Sequence, residues 1–128
     1  MEKKDILLVD DDQDFVAAMT LVLEANDYAV RSAANVTECE RRIKERKPAL
    51  IVLDVMMEHA DDGFRACHQM KTDPETKDIP ILILTAVSER TGLKFSLKTH
   101  KEYMPADDYA EKPVMPNDLL ARIKALVG

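Results

Sequence analysis

The sequence predicts an α/β fold in which helices cover both faces of one parallel sheet, and three observations carry that prediction. First, the runs Ile6-Leu7-Leu8-Val9, Leu50-Ile51-Val52-Leu53 and Ile81-Leu82-Ile83-Leu84 are continuously apolar, as strands buried on both faces must be. Second, stripes of helical period separate them. Third, each run ends in a polar group: Asp10-Asp11-Asp12, Asp54 and Thr85 respectively. In open α/β sheets ligands bind at the carboxyl ends of the strands, so these are candidate chemical groups rather than turn residues.

In chain order, Phe15, Val16, Met19, Val22 and Leu23 form the buried stripe of a first helix, with Asp12 or Gln13 near its start and Asn26-Asp27 at its end. Tyr28, Val30 and Ser32 alternate with Ala29, Arg31 and Ala33, the pattern of a less buried strand at a sheet edge. Asn35 followed by Glu38 reads as a helix N-cap with an acid in the first turn. That helix is expected to run to about Lys47, with Val36, Cys39 and Ile43 on its inner face. After Asp54, an irregular loop from Val55 to Asp62 is expected to lead into a helix opened by Gly63 and stopped by Asp73-Pro74. Phe64, Cys67 and Met70 form its inner face. Leu93 and Leu97 suggest a short helix within 88–105, and Asp107 to Ala110 a final edge strand. Pro116 opens the last helix, which carries Leu119, Leu120, Ile123 and Leu126.

Composition narrows the class. A chain of 128 residues makes one domain with a sizeable core. Its 33% charged and 46% hydrophobic residues are ordinary for a globular protein. A formal net charge of −6 argues against direct nucleic-acid binding. Cys39 and Cys67 have neither metal-site nor disulfide-framework spacing, so reduced thiols in a cytoplasmic protein are expected. No apolar run reaches membrane-spanning length, and the N-terminal run is too short for a signal peptide.

Five β-α repeats with right-handed crossovers give a doubly wound five-stranded sheet of order 2-1-3-4-5. Its switch point lies between strands 1 and 3. Asp10, Asp11 and Asp54 should meet there, with Thr85 one strand further and Lys112 beyond it. Three carboxylates so close repel one another, so either their pKa values rise or a cation sits among them, and oxygen ligands of this kind suit magnesium. With Lys112 and Thr85 on the far side, the arrangement suits attack by a carboxylate on a phosphoryl group to give an aspartyl phosphate.

These residues resemble a known family. Ile6 to Asp12, Leu50 to Met57, Asp62-Gly63-Phe64, Ile83 to Ala86 and Tyr109-Ala110-Glu111-Lys112-Pro113 together are similar to the receiver domain of two-component response regulators, with its CheY-like, flavodoxin-like (βα)5 fold. The resemblance covers the whole chain in the family's order. It implies that Asp54 is the phosphoacceptor, and that Asp10, Asp11, Asp54 and the Met56 backbone carbonyl hold Mg2+. By the same resemblance Thr85 and Lys112 contact the phosphoryl oxygens, the Lys112–Pro113 bond is cis, and Tyr109 changes rotamer with Thr85 as the switch. The implied partners are a sensor histidine kinase or histidine phosphotransfer protein and an unnamed downstream target. A homodimer through the face formed by the 88–105 helix, the Tyr109 strand and the last helix is a further expectation. The protein would be a signalling domain that catalyses its own phosphorylation and dephosphorylation rather than a conventional enzyme.

Some positions depart from the family pattern. Glu58 stands where a proline commonly follows the Met56-Met57 pair, and the span from Thr85 to Lys112 is longer than usual. Met115 replaces a capping Ser or Thr. The chain is expected to be a single receiver domain over 1–128 with no output domain. Two alternatives stay open on the residues alone. A haloacid-dehalogenase-type phosphatase would place its nucleophile on Asp10, and a pseudo-receiver would act only as an interaction module.

Overall fold

A computed structural model gives the fold and describes residues 3–54, 60–85, 106–111 and 114–127. In chain order the elements are β1 (Lys4–Val9), α1 (Gln13–Ala25), β2 (Tyr28–Ala33), α2 (Val36–Glu45), β3 (Leu50–Asp54), α3 (Ala60–Thr72), β4 (Ile81–Thr85), β5 (Asp108–Glu111) and, as α4 here, Pro116–Val127. The strands form one sheet in the order β2-β1-β3-β4-β5. Every pairing is parallel. Expectation and structure agree on the topology and on β2 and β5 as the edges. The helix expected within 88–105 lies outside the described residues.

The alternation of side chains along each strand divides the core into two layers. Leu7, Val9, Ile51, Leu53, Ile81 and Ile83 pack against Cys39 of α2 and Cys67 and Met70 of α3. Ile6, Leu8, Leu50, Val52, Leu82 and Leu84 pack on the other face against Val16, Met19 and Leu23 of α1 and Leu119 and Ile123 of α4. Each such side chain, fully buried, stabilises the fold by roughly 1.5–3 kcal/mol relative to exposure.

Helix ends are set by local chemistry. The Asp12 carboxylate accepts from the backbone N–H groups of Asp14 and Phe15, both at 3.1 Å, and caps α1. Asn35 accepts from Glu38 N at 2.8 Å, while the Glu38 carboxylate reaches back to Ala34 N at 2.8 Å, a reciprocal arrangement that fixes the start of α2. Asn26 is the C-cap of α1. Asp27 follows with φ of 69°, the left-handed conformation that ends many helices and that aspartate tolerates better than most residues.

Several boundaries differ from the sequence reading. α3 begins at Ala60 rather than Gly63. α2 ends at Glu45 rather than Lys47: Arg46 is already extended at φ −161°, and Lys47 precedes Pro48, which disfavours helix at that position. β5 is shifted by one residue, to Asp108–Glu111. β1 begins at Lys4 rather than Ile6 and takes Asp5 into the sheet. Asp5 is buried at 5% exposure. It is held by Arg31 of β2, whose Nη2 and Nε lie 2.5 and 2.9 Å from its Oδ2. Arg31 also donates to the carbonyls of Arg42 and Arg46 at 2.8 and 2.6 Å, so one side chain ties β1, β2 and the end of α2 together. Elsewhere Lys71 of α3 pairs with Asp107 at 2.7 Å, and Arg122 of α4 pairs with Asp108 at 2.9 Å.

Cys39 and Cys67 are both free and buried, as the core reading of Cys39 expected. Burial is the main cause that pushes each thiol up to about 12. A thiol whose folded value exceeds its unfolded value of 9.0 contributes stability that is intact below pH 9 and is lost as pH rises toward 12. Urea-unfolding stability should therefore fall steeply from about pH 9 upward, and Cys39→Ala with Cys67→Ala should flatten that fall even though it lowers stability at pH 7. An unchanged alkaline slope in the double variant would show that the thiols are not its source.

Candidate functional site

The site assembles where β1 and β3 lie side by side, with Val9 opposite Leu53. Both strands deliver carboxylates to the same rim because both run in the same direction and end at the same level. Asp10 follows β1 directly. Its N–H donates to Ala33 O at 3.0 Å, and its Oδ1 accepts from Asp12 N at 2.9 Å. These bonds fix one carboxylate oxygen toward the backbone. Asp54 is the last residue of β3.

Carboxylate oxygens of Asp10, Asp11 and Asp54 all lie within 4.8 Å of one another. Asp10 and Asp54 are 2% and 3% exposed, whereas Asp11 faces solvent. At that separation and an effective dielectric near 20, the buried pair alone repels by roughly 3 kcal/mol. A group of charged oxygens held together by backbone geometry, with one member open to water, has the donor chemistry of a hard divalent cation. Among the described residues this is the one such cluster. The structure therefore brings together all three acids the sequence singled out, and keeps Asp12 apart as the cap of α1.

Thr85 closes β4 in register with Glu111, and Asp54 is in register with Leu84. The threonine thus stands at the rim one strand beyond the acids. Tyr109 lies on β5 opposite Ile83 and is half-buried against the layer that contains Cys67 and Ile79. Burial is the main cause that raises its hydroxyl above the usual value; a hydrogen bond with the Ala106 backbone lowers it, and the neighbouring Cys67 and Asp107 raise it further. Met56, Lys112 and the Lys112–Pro113 bond lie outside the described residues. Asp5 and Arg31 form a second buried charged group that the sequence reading did not single out. It lies at the opposite end of β1 from the acids.

An acidic cluster at the switch point of a doubly wound five-stranded sheet defines the class: an α/β domain whose carboxylates gather at its strand ends. The chain belongs to the response regulator receiver domain family, whose model matches residues 6–124. It is 36% identical over 124 residues to the transcriptional regulatory protein GltR of Pseudomonas aeruginosa, covering 97% of this chain and 49% of that protein. It is 37% identical over 127 residues to the alkaline phosphatase synthesis transcriptional regulatory protein PhoP of Bacillus subtilis, covering 99% and 49%. The chain thus spans about half the length of the curated relatives it matches. Among solved structures, a response regulator receiver domain from Bermanella marisrubri superposes with a TM-score of 0.84 at 31% identity, covering 98% of this chain and 99% of that one. A putative response regulator from Chloroflexus aurantiacus gives 0.82 at 36% identity, covering 98% of each.

The chain is therefore a receiver domain of two-component response regulators, a signalling domain of phosphorelay systems. Neither the phosphatase nor the pseudo-receiver reading is favoured. No described helix is long and apolar enough to cross a membrane.

Proposed function

We propose that Asp54 accepts a phosphoryl group from a phosphohistidine on a sensor histidine kinase or phosphotransfer protein. The observation that carries this reading is the burial of Asp54 at the end of the central strand, within 4.8 Å of two further carboxylates. A carboxylate oxygen of Asp54 attacks phosphorus; the new O–P bond forms as the donor's N–P bond breaks, and the electron pair of the broken bond stays on the imidazole nitrogen. Asp10, Asp11 and Asp54, with the Met56 carbonyl, are the residues that would hold magnesium, which when bound neutralises charge on the phosphoryl oxygens. Lys112 supplies positive charge and Thr85 a hydroxyl donor to those oxygens, so the domain contributes to the catalysis of its own phosphorylation and dephosphorylation.

Drawing Thr85 toward the phosphoryl group opens space beside β5, and Tyr109 responds by changing rotamer. The surface made by β5, α4 and the residues before β5 is the face that transmits the change to a target or a second copy. DNA binding is stated for relatives such as the regulator RpaA of Synechocystis, and nothing in this domain's formal net charge of −6 favours it here.

Treatment with a small phosphodonor and magnesium should add one phosphoryl mass to the wild type and none to Asp54→Asn. Peptide mapping should place the label on Asp54. Label on Asp10, or equal labelling of both proteins, would overturn the assignment.

A further inference from the structure

A groove of about 750 Å³ lies between helices α2 and α3 above the core they share. Its floor is apolar: Val36, Cys39 and Ile43 of α2 and Ala66 and Met70 of α3. The poor seating of α2 has a sequence cause. Six of its ten residues are charged, and Cys39 is its one buried residue, so Val36 and Ile43 remain half-covered. A helix that buries one apolar side chain and half-covers two leaves part of its apolar stripe available to something else.

The rims of the groove differ in charge. On the α2 side Glu45 is paired with Arg42 at 3.3 Å, which leaves Lys44, Arg46 and Lys47 against Glu40. On the α3 side stand Asp73 and Glu75. One wall is therefore net basic and the other acidic, with an apolar strip between them. The acids of the phosphorylation site line neither wall.

We propose that this groove docks an amphipathic helix of a partner protein whose apolar stripe is flanked by acidic residues on one side and basic residues on the other. Helix-in-groove recognition places apolar anchors at helical spacing on such a floor. The rims select the charge pattern: acidic residues meet Lys44, Arg46 and Lys47, and basic residues meet Asp73 and Glu75. The contact is separate from phosphoryl transfer at Asp54 and needs no change there.

The test uses three stapled peptides of about 15 residues, long enough to hold a helix once constrained, with one common leucine stripe. Their flanks are mixed, all-acidic or all-basic. General attraction to a protein of net charge −6 favours the all-basic peptide, so a preference for the mixed one reports the groove itself. The mixed peptide is expected to bind about tenfold tighter than either other and to shift the amide resonances of Val36, Ile43, Met70 and Asp73. Lys44→Glu with Lys47→Glu, both exposed positions outside the core, should make the all-basic peptide the tightest. Equal binding of all three, a ranking unmoved by the double substitution, or shifts confined to α1 and α4 would overturn the proposal.

Discussion

Arg31→Met is expected to lower the stability of the domain by about 3 kcal/mol, a large part of the ~5–15 kcal/mol that holds a typical domain folded. Asp5 is 5% exposed, and among the described residues its side-chain hydrogen bonds all come from Arg31. Without the guanidinium a buried carboxylate keeps its desolvation cost and loses its counter-charge. The reverse change should be milder. In Asp5→Leu the arginine, 23% exposed, still reaches water and the carbonyls of Arg42 and Arg46, so the loss should be nearer 1 kcal/mol. The double variant should resemble Asp5→Leu. Urea denaturation of the four proteins, compared at constant m-value, measures this directly. Equal losses from the two single substitutions would mean that Asp5 finds another partner and that the ion pair does not organise this end of the sheet.

The second large effect concerns the acids and reverses sign with magnesium. Removing one charge from the buried pair in Asp10→Asn relieves a bare repulsion of roughly 3 kcal/mol or more, part of which solvent and neighbouring groups already screen, while the amide oxygen can still accept from Asp12 N. In EDTA this variant should therefore be more stable than wild type by about 1–2 kcal/mol. With magnesium at ~100 times its dissociation constant the wild type should gain about 2.7 kcal/mol, equivalent to a rise in Tm of roughly 10 °C for a domain of this size. The variant should gain little, so the order of stabilities inverts. Thermal melts with and without magnesium decide it. A wild-type Tm that ignores magnesium, or an Asp10→Asn protein less stable than wild type in EDTA, would remove the argument that the cluster is held apart from its preferred state.

Much of the fold was legible because the central strands carry an unusually plain signal. β1, β3 and β4 are covered on both faces, so their apolar runs are unbroken; β2 lies at an edge, so its residues alternate. The strand order and the meeting of Asp10, Asp11 and Asp54 follow from those runs and from right-handed crossovers. What escaped the reading was nonlocal or ambiguous. Asp5 precedes the apolar run Ile6-Leu7-Leu8-Val9 and nothing beside it in sequence signals burial, because the arginine that makes its burial tolerable comes from the next strand. Gly63 looked like the opening of a helix, whereas α3 already runs through it from Ala60; a glycine lowers local helix propensity and so hides the turn before it. The groove between α2 and α3 could not be read from helical periodicity, since Val36, Cys39 and Ile43 form a proper inner stripe and only their packing shows that Cys39 is covered while Val36 and Ile43 are half-covered.

The wholly parallel sheet also bears on how the chain reaches its native state. No two of its neighbouring strands can be joined by a tight hairpin, because each parallel pairing needs a crossover that carries the chain back along the sheet. Folding must therefore close long loops before any strand pair is rewarded, and the apolar strands β1, β3 and β4 wait unpaired during that search. Intermediates of this kind aggregate through exposed strand edges. The outermost strands guard against it: β2 carries Arg31 and β5 carries Asp108, charges that discourage a second chain from adding to the row. The same ionic groups that fasten the finished sheet thus also mark where it stops growing.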